Sequence, residues 1–102
     1  MVSKEEIIKQ GYIDVKVYVS GLRQNHRLEV VREKNSVGTI IILLCKHYIP
    51  TAELVRVAEQ LQLPVKHKDT LVFPKGKMAG DFVENKTIAV MESETLEAEI
   101  EE

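Results

Sequence analysis

Cys45 is the only cysteine, so the chain cannot hold an intramolecular disulfide. Tryptophan is absent and aromatics reach only 5% of residues, which leaves Val, Ile, Leu and Ala to build the core. The longest unbroken apolar run, Ile40 to Cys45, is far short of the roughly 20 residues that a membrane-spanning helix needs. The start, Met1 to Glu6, is charged and shows no apolar targeting segment. These absences set the expectation of a cytoplasmic protein without membrane contact.

What is present is ordinary for one globular domain: 102 residues, 44% hydrophobic and 29% charged. The net charge of −2 hides an asymmetry. All Lys and Arg lie within residues 1–91, whereas 92–102 carries Glu92, Glu94, Glu97, Glu99, Glu101 and Glu102 and no base. The expected organisation is a mildly basic domain over 1–91 followed by an acidic segment, 92–102, that either solvates or competes for basic surface on its own body.

Ser3-Lys4-Glu5-Glu6 is a capping-box pattern, with Ile7 and Ile8 as a small apolar face and Gly11 as a stop, so a short helix is expected over 3–10. Ile13, Val15, Val17 and Val19 then alternate with Asp14, Lys16 and Tyr18, the pattern of a half-buried strand. Ser20 to Asn25 reads as a turn around Gly21, and His26 to Glu33 as the second strand of an antiparallel hairpin. From Val37 to Cys45 the chain is apolar on both faces, which suits a central strand covered on both sides. Thr51 is placed to cap a helix in which Leu54, Val57, Ala58 and Leu61 share one face while Arg56, Glu59 and Gln60 face water. Pro64 stops it. Val65 and Leu71-Val72-Phe73 read as strand, Gly80-Asp81 as a turn, and Thr87 to Met91 as a last short strand. Leu96 and Ile100 share a face if the acidic segment is helical. The expected fold is α+β or α/β: one mixed sheet of four to six strands, a main helix near 51–63 and a short N-terminal helix. So little helix leaves one face of the central strand short of cover, and a homodimer is the expected remedy.

Chemistry-bearing residues are few. Cys45-Lys46-His47 lies at the carboxyl end of the central strand, where open α/β sheets bind ligands. It reads either as a thiolate nucleophile beside a base or as a core cysteine followed by polar loop. His26, His47 and His67 show no metal-binding spacing. Asp69 and Asp81 sit in turns, where aspartates usually bond their own backbone. No residue is assigned a catalytic or metal role, and no cofactor is indicated.

The basic residues make the stronger pattern. Lys66, Lys68, Lys75 and Lys77 bracket the strand at 70–73, Lys46 and His47 end the adjoining strand, and Arg23 and Arg27 lie on the first hairpin. Pro74-Lys75-Gly76-Lys77 offers backbone amides and two ammonium groups to a phosphate, without P-loop spacing. Such residues either solvate loops and strand edges or bind a phosphate backbone in a salt-dependent way.

Gly38-Thr39-Ile40-Ile41-Ile42, Pro50-Thr51-Ala52-Glu53-Leu54, Val57-Ala58-Glu59, Leu63-Pro64-Val65 and Asp69-Thr70-Leu71 form a series. Over 38–73 this series resembles the strand–helix–strand of DRTGG domains and of the N-terminal domain of HPr kinases. The resemblance implies a regulatory α/β module and carries no ligand site, because the name-giving motif is missing. Two functions are therefore expected as alternatives: a non-catalytic module that acts through protein contacts, or a nucleic-acid-binding protein using the lysine and arginine surface.

Overall fold

The computed structural model describes residues 3–84. They form one mixed five-stranded sheet in the order β1-β2-β3-β4-β5, with two α-helices. The expected strand at 87–91 and the acidic segment 92–102 lie outside the described residues.

Helix α1 (Lys4–Gln10) starts where the Ser3 hydroxyl accepts the amide of Glu6 at 3.2 Å and ends at Gly11, whose φ of 91° few other residues adopt. Strand β1 (Tyr12–Val19) follows directly. The expected loop at 20–25 is instead a two-residue turn, and strand β2 spans Leu22–Asn35. Ser20 and Gly21 have φ of 53° and 79°, the doubly left-handed backbone of a type I′ turn, whose twist matches that of the strands it joins. The polar run Arg23-Gln24-Asn25 is thus strand, held by cross-strand pairing rather than by burial.

A second hairpin leads through Ser36 and Val37 into β3 (Gly38–Cys45). Helix α2 (Thr51–Leu61) returns the chain to β4 (Val65–His67), which pairs parallel to β3 through Leu43 and Val65. Pro50, not Thr51, occupies the N-cap, and its carbonyl accepts the amides of Glu53 and Leu54 at 2.9 and 3.0 Å. A tight turn at Lys68-Asp69 then folds β5 (Thr70–Val72) antiparallel onto β4. The stretch 65–73 is therefore a small hairpin. Gly80-Asp81 lies in a 3-10 helix, Ala79–Phe82, after which Val83 bridges to Ile40.

Residues opposite each other in the ladders share a face. Val17, Leu28, Leu43, Cys45 and Val65 fall on one side of the sheet and Val31, Ile40, Ile42 and Leu71 on the other. Helix α2 touches β1, β4 and β5 through a stripe that buries Leu54, Val57 and Ala58. The opposite face of β1 shows Asp14, Lys16 and Tyr18 to solvent, so the helix lies on the Val17 side. On the other side Val31, Leu71 and Val83 are half-buried against the core, and the Lys66–Glu33 ion pair (2.8 Å) crosses β3 at the level of Ile42. Ile40, Ile41, Ile42 and Leu43 are all 0% exposed. The central strand is thus covered on both faces within the chain, and the shortage of cover that pointed to a homodimer is not there. No helix among the described residues is long and apolar enough to cross a membrane.

Candidate functional site

Strand register gathers all three histidines around Cys45. His26 sits two residues before the partner of Cys45 on β2, and on the same face. It is 5% exposed, and its Nδ1 lies 3.7 Å from Cys45 Sγ while its Nε2 meets Gln24 Oε1 at 3.1 Å. The Cys45 thiol donates to the carbonyl of His47 at 3.1 Å, and the His47 ring packs edge-on against His26 with centroids 5.8 Å apart. From β4, His67 Nδ1 donates to the carbonyl of Cys45 at 3.1 Å, and Tyr48 packs edge-on against the His67 ring at 6.2 Å.

This convergence does not make a reactive centre. Burial pushes the Cys45 thiol up, away from thiolate. Burial, and then the neighbouring His47, push His26 down, which favours the neutral imidazole. The Cys45 thiol and both ring nitrogens of His26 each have a neighbour within the cluster. Among the described residues no three His, Cys, Asp or Glu side chains are arranged to hold a metal ion.

The expected basic residues fall into two groups. Lys46, Lys66 and Arg27 are each paired with an acid: Glu29 at 3.2 Å, Glu33 at 2.8 Å, and Asp14 through both arms of the guanidinium at 2.9 and 3.1 Å. Arg27 also lies 4.1 Å above the Tyr12 ring. Arg23, Lys68, Lys75 and Lys77 are exposed with no carboxylate partner among the described residues, and His47 is exposed beside His26. The Pro74–Lys77 loop closes as a turn, with Gly76 at φ 78° and the Lys77 amide donating to the carbonyl of Pro74 at 3.0 Å. The Lys75 amide donates to the carboxylate of Glu59 on α2. Two of the amides that would cradle a phosphate are therefore occupied, one of them by an anion.

Helix α2 does more than cover the sheet. In β1 the even-numbered residues turn their backbone groups to the outer edge. There Tyr18 N–H donates to Glu53 Oε1 at 2.7 Å, Arg56 Nη2 donates to the carbonyl of Lys16 at 2.9 Å, and Gln10 Nε2 donates to the carbonyl of Tyr12 at 3.0 Å. Arg56, expected to face water, is held by Glu53 and serves as an edge guard. Its fork also lowers the Glu53 carboxyl, helped by the Tyr18 amide.

The other open edge has no such guard. Strand β2 is 14 residues long and β3 only 8. Pairing with β3 begins at Leu28–Cys45, so residues 22–26 are bonded on the β1 side alone. The type I′ closing pair Val19–Leu22 and the bond from Val30 N–H to the carbonyl of Gly11 (2.9 Å) fix the parity: even residues of β2 bond to β1. Arg23 and Asn25 therefore turn their N–H and C=O groups outward, with no partner among the described residues, while the Leu28–Cys45 pair sets Lys46 beside Arg27. Beside this edge the hairpin tip exposes Tyr18 (54%) and Leu22 (66%). Sequence reading missed the edge because it took residues 22–25 for loop. The signal was the Ser-Gly pair between two strands, a type I′ candidate, followed by more strand before the next turn than β3 can match.

One surface cleft, about 250 Å³, is lined by Val37, Gly38, Thr39, Val83 and Glu84. Its only titratable side chain, Glu84, is paired with Arg32 at 2.9 Å. Comparison with protein-family models, curated proteins and solved structures gave no match.

Proposed function

We propose that this chain is a non-catalytic binding module that meets another protein segment at the open edge of β2. The observation that carries the reading is the unpartnered backbone groups at Arg23 and Asn25, set beside the exposed Tyr18 and Leu22. A strand edge left open while the opposite edge is guarded by three side-chain hydrogen bonds is a template for one more strand. The resemblance of 38–73 to regulatory α/β modules points the same way.

The charge pattern favours protein over nucleic acid. Phosphate-backbone binding draws on a continuous field of unpaired cations. Here Asp14, Glu29 and Glu33 interleave with Arg27, Lys46 and Lys66, and Glu59 sits at the lysine loop. Self-association has no structural need in the cover of β3.

Photocross-linking tests the reading. A benzophenone amino acid placed at position 25 should give protein adducts in cells, and the same group at Glu5 on α1 should not. Adducts that a nuclease removes would favour the nucleic-acid alternative, and no adduct from position 25 would remove the edge as a docking surface.

A further inference from the structure

We propose that Cys45 Sγ and His26 Nδ1 form a two-donor site for a soft monovalent cation of the copper(I) class. Gln24 Oε1 can only accept, so its 3.1 Å contact with His26 Nε2 places a ring proton on that nitrogen. In the neutral ring, Nδ1 then carries a lone pair. This lone pair faces Cys45 Sγ at 3.7 Å, within a side chain that is only 5% exposed. The thiol has a single proton, and it goes to the carbonyl of His47 at 3.1 Å. Among the described residues no other donor reaches Nδ1. A nitrogen lone pair and a sulfur therefore look at each other across a buried gap with no proton between them. Leaving a buried acceptor unmet is costly, and an electron-poor ion in that gap would meet it.

Uptake of the cation balances simply. The S–H bond of Cys45 breaks, a sulfur–metal bond forms, and the proton leaves to solvent with no change of oxidation state. His26 Nδ1 gives its lone pair to the same ion. The Gln24 contact holds the ring in the orientation that presents it, as the outer partners of metal-bound histidines do. With sulfur–metal and nitrogen–metal bonds of about 2.3 and 2.0–2.1 Å, a straight bridge spans about 4.3 Å, so the 3.7 Å pair has to open by only about 0.6 Å. The number and kind of donors select the ion. Among the described residues no three His, Cys, Asp or Glu side chains come together, so zinc, which takes four ligands or three and a water, is short of donors. Calcium and magnesium need oxygen ligands, and this pair offers sulfur and nitrogen. A filled-shell monovalent ion accepts two donors, and a thiolate favours copper(I). The exposed His47 ring lies edge-on to His26, with centroids 5.8 Å apart, and gives such an ion a first contact at the surface.

Two probes test the site in the full-length chain. Silver(I) in chloride-free buffer is the first, and copper(I) supplied from bicinchoninate without oxygen is the second. The folded chain should take up one silver ion, and the nitrogen resonance of His26 Nδ1 should then move far more than that of Nε2. It should also withdraw one copper(I) ion from the chelator, about tenfold or more tightly than His26→Gln, which keeps the thiol. Cys45→Ala should lose the tight site. Circular dichroism checks that both variants fold. Equal copper(I) affinity in the native chain and His26→Gln would show a thiol acting alone and overturn the pair. A silver complex in which His26 Nδ1 does not move would overturn it as well, and that reading stands even if His26→Gln fails to fold. Tight binding that survives Cys45→Ala, or no uptake by the folded chain, would place any soft-metal affinity elsewhere and remove the site.

Discussion

Replacing Ile42 and Leu43 by alanine, one at a time, probes whether β3 is roofed on both faces by its own chain. The two side chains are adjacent in sequence, point to opposite sides of the sheet and are each 0% exposed. Leu43 lies on the α2 side. Ile42 lies on the other face, with Val31, Leu71 and the Lys66–Glu33 pair. Truncating a fully buried Leu or Ile to Ala costs about 2–5 kcal/mol, from lost transfer free energy and the cavity left behind. A domain of this size has about 5–15 kcal/mol in all, so either change removes a large share of the stability. With a urea slope of about 1–3 kcal/mol per molar, each midpoint should drop by roughly 2 M. The assay is urea unfolding followed by far-ultraviolet circular dichroism, repeated at a much lower protein concentration. The reasoning predicts similar losses for the two variants and a wild-type midpoint that does not move on dilution. A loss under about 1 kcal/mol for Ile42→Ala, or a midpoint that falls on dilution, would show that the Ile42 face is open or is covered by a second copy.

Other perturbations address the cluster and the hairpin. The Cys45 thiol, raised by burial, should alkylate slowly in the folded chain and rapidly in urea, and equal rates would contradict its placement in the core. His26, lowered by burial, should make stability fall as pH drops below about 6.5, because the unfolded chain takes up the proton first; the loss levels off once pH passes below the folded pKa. In His26→Gln that part of the pH dependence should flatten, and an unchanged slope would show that another group is responsible. Gly21→Ala meets no atom within 4 Å, so its effect is purely one of backbone conformation at φ 79°: about 1–2 kcal/mol of destabilisation, readable by thermal melting, with no loss if the turn is not type I′.

The elements with a strong local signal were legible in the sequence. The Ser3 cap and Gly11 stop of α1, the alternation of β1, the two-sided apolar run of β3 and the Leu54-Val57-Ala58 stripe of α2 each follow from one residue class at one spacing. What escaped depends on pairing between distant residues. Arg23-Gln24-Asn25 has no apolar member, and it is strand only because Val15 to Val19 lie opposite His26 to Leu22. Arg56 has the position of a solvent-facing helix residue, yet the curl of the sheet brings the backbone of Lys16 within its reach. The histidines lie at least 20 positions apart in the chain and meet only through the β2–β3 and β3–β4 registers. The basic residues were legible as a set, but the acids that pair with three of them come from β1 and β2, out of sequence range. The open edge is a difference of lengths, 14 residues against 8, and needs both strands in place to be seen.

Amide hydrogen exchange along β2 measures the unpaired edge most directly. Leu22, Gln24 and His26 bond to β1 and should be protected, while Arg23 and Asn25 between them should exchange like open backbone. Protection of all five alike would mean that another strand already lies along that edge, and the account of β2 as a free template would fall.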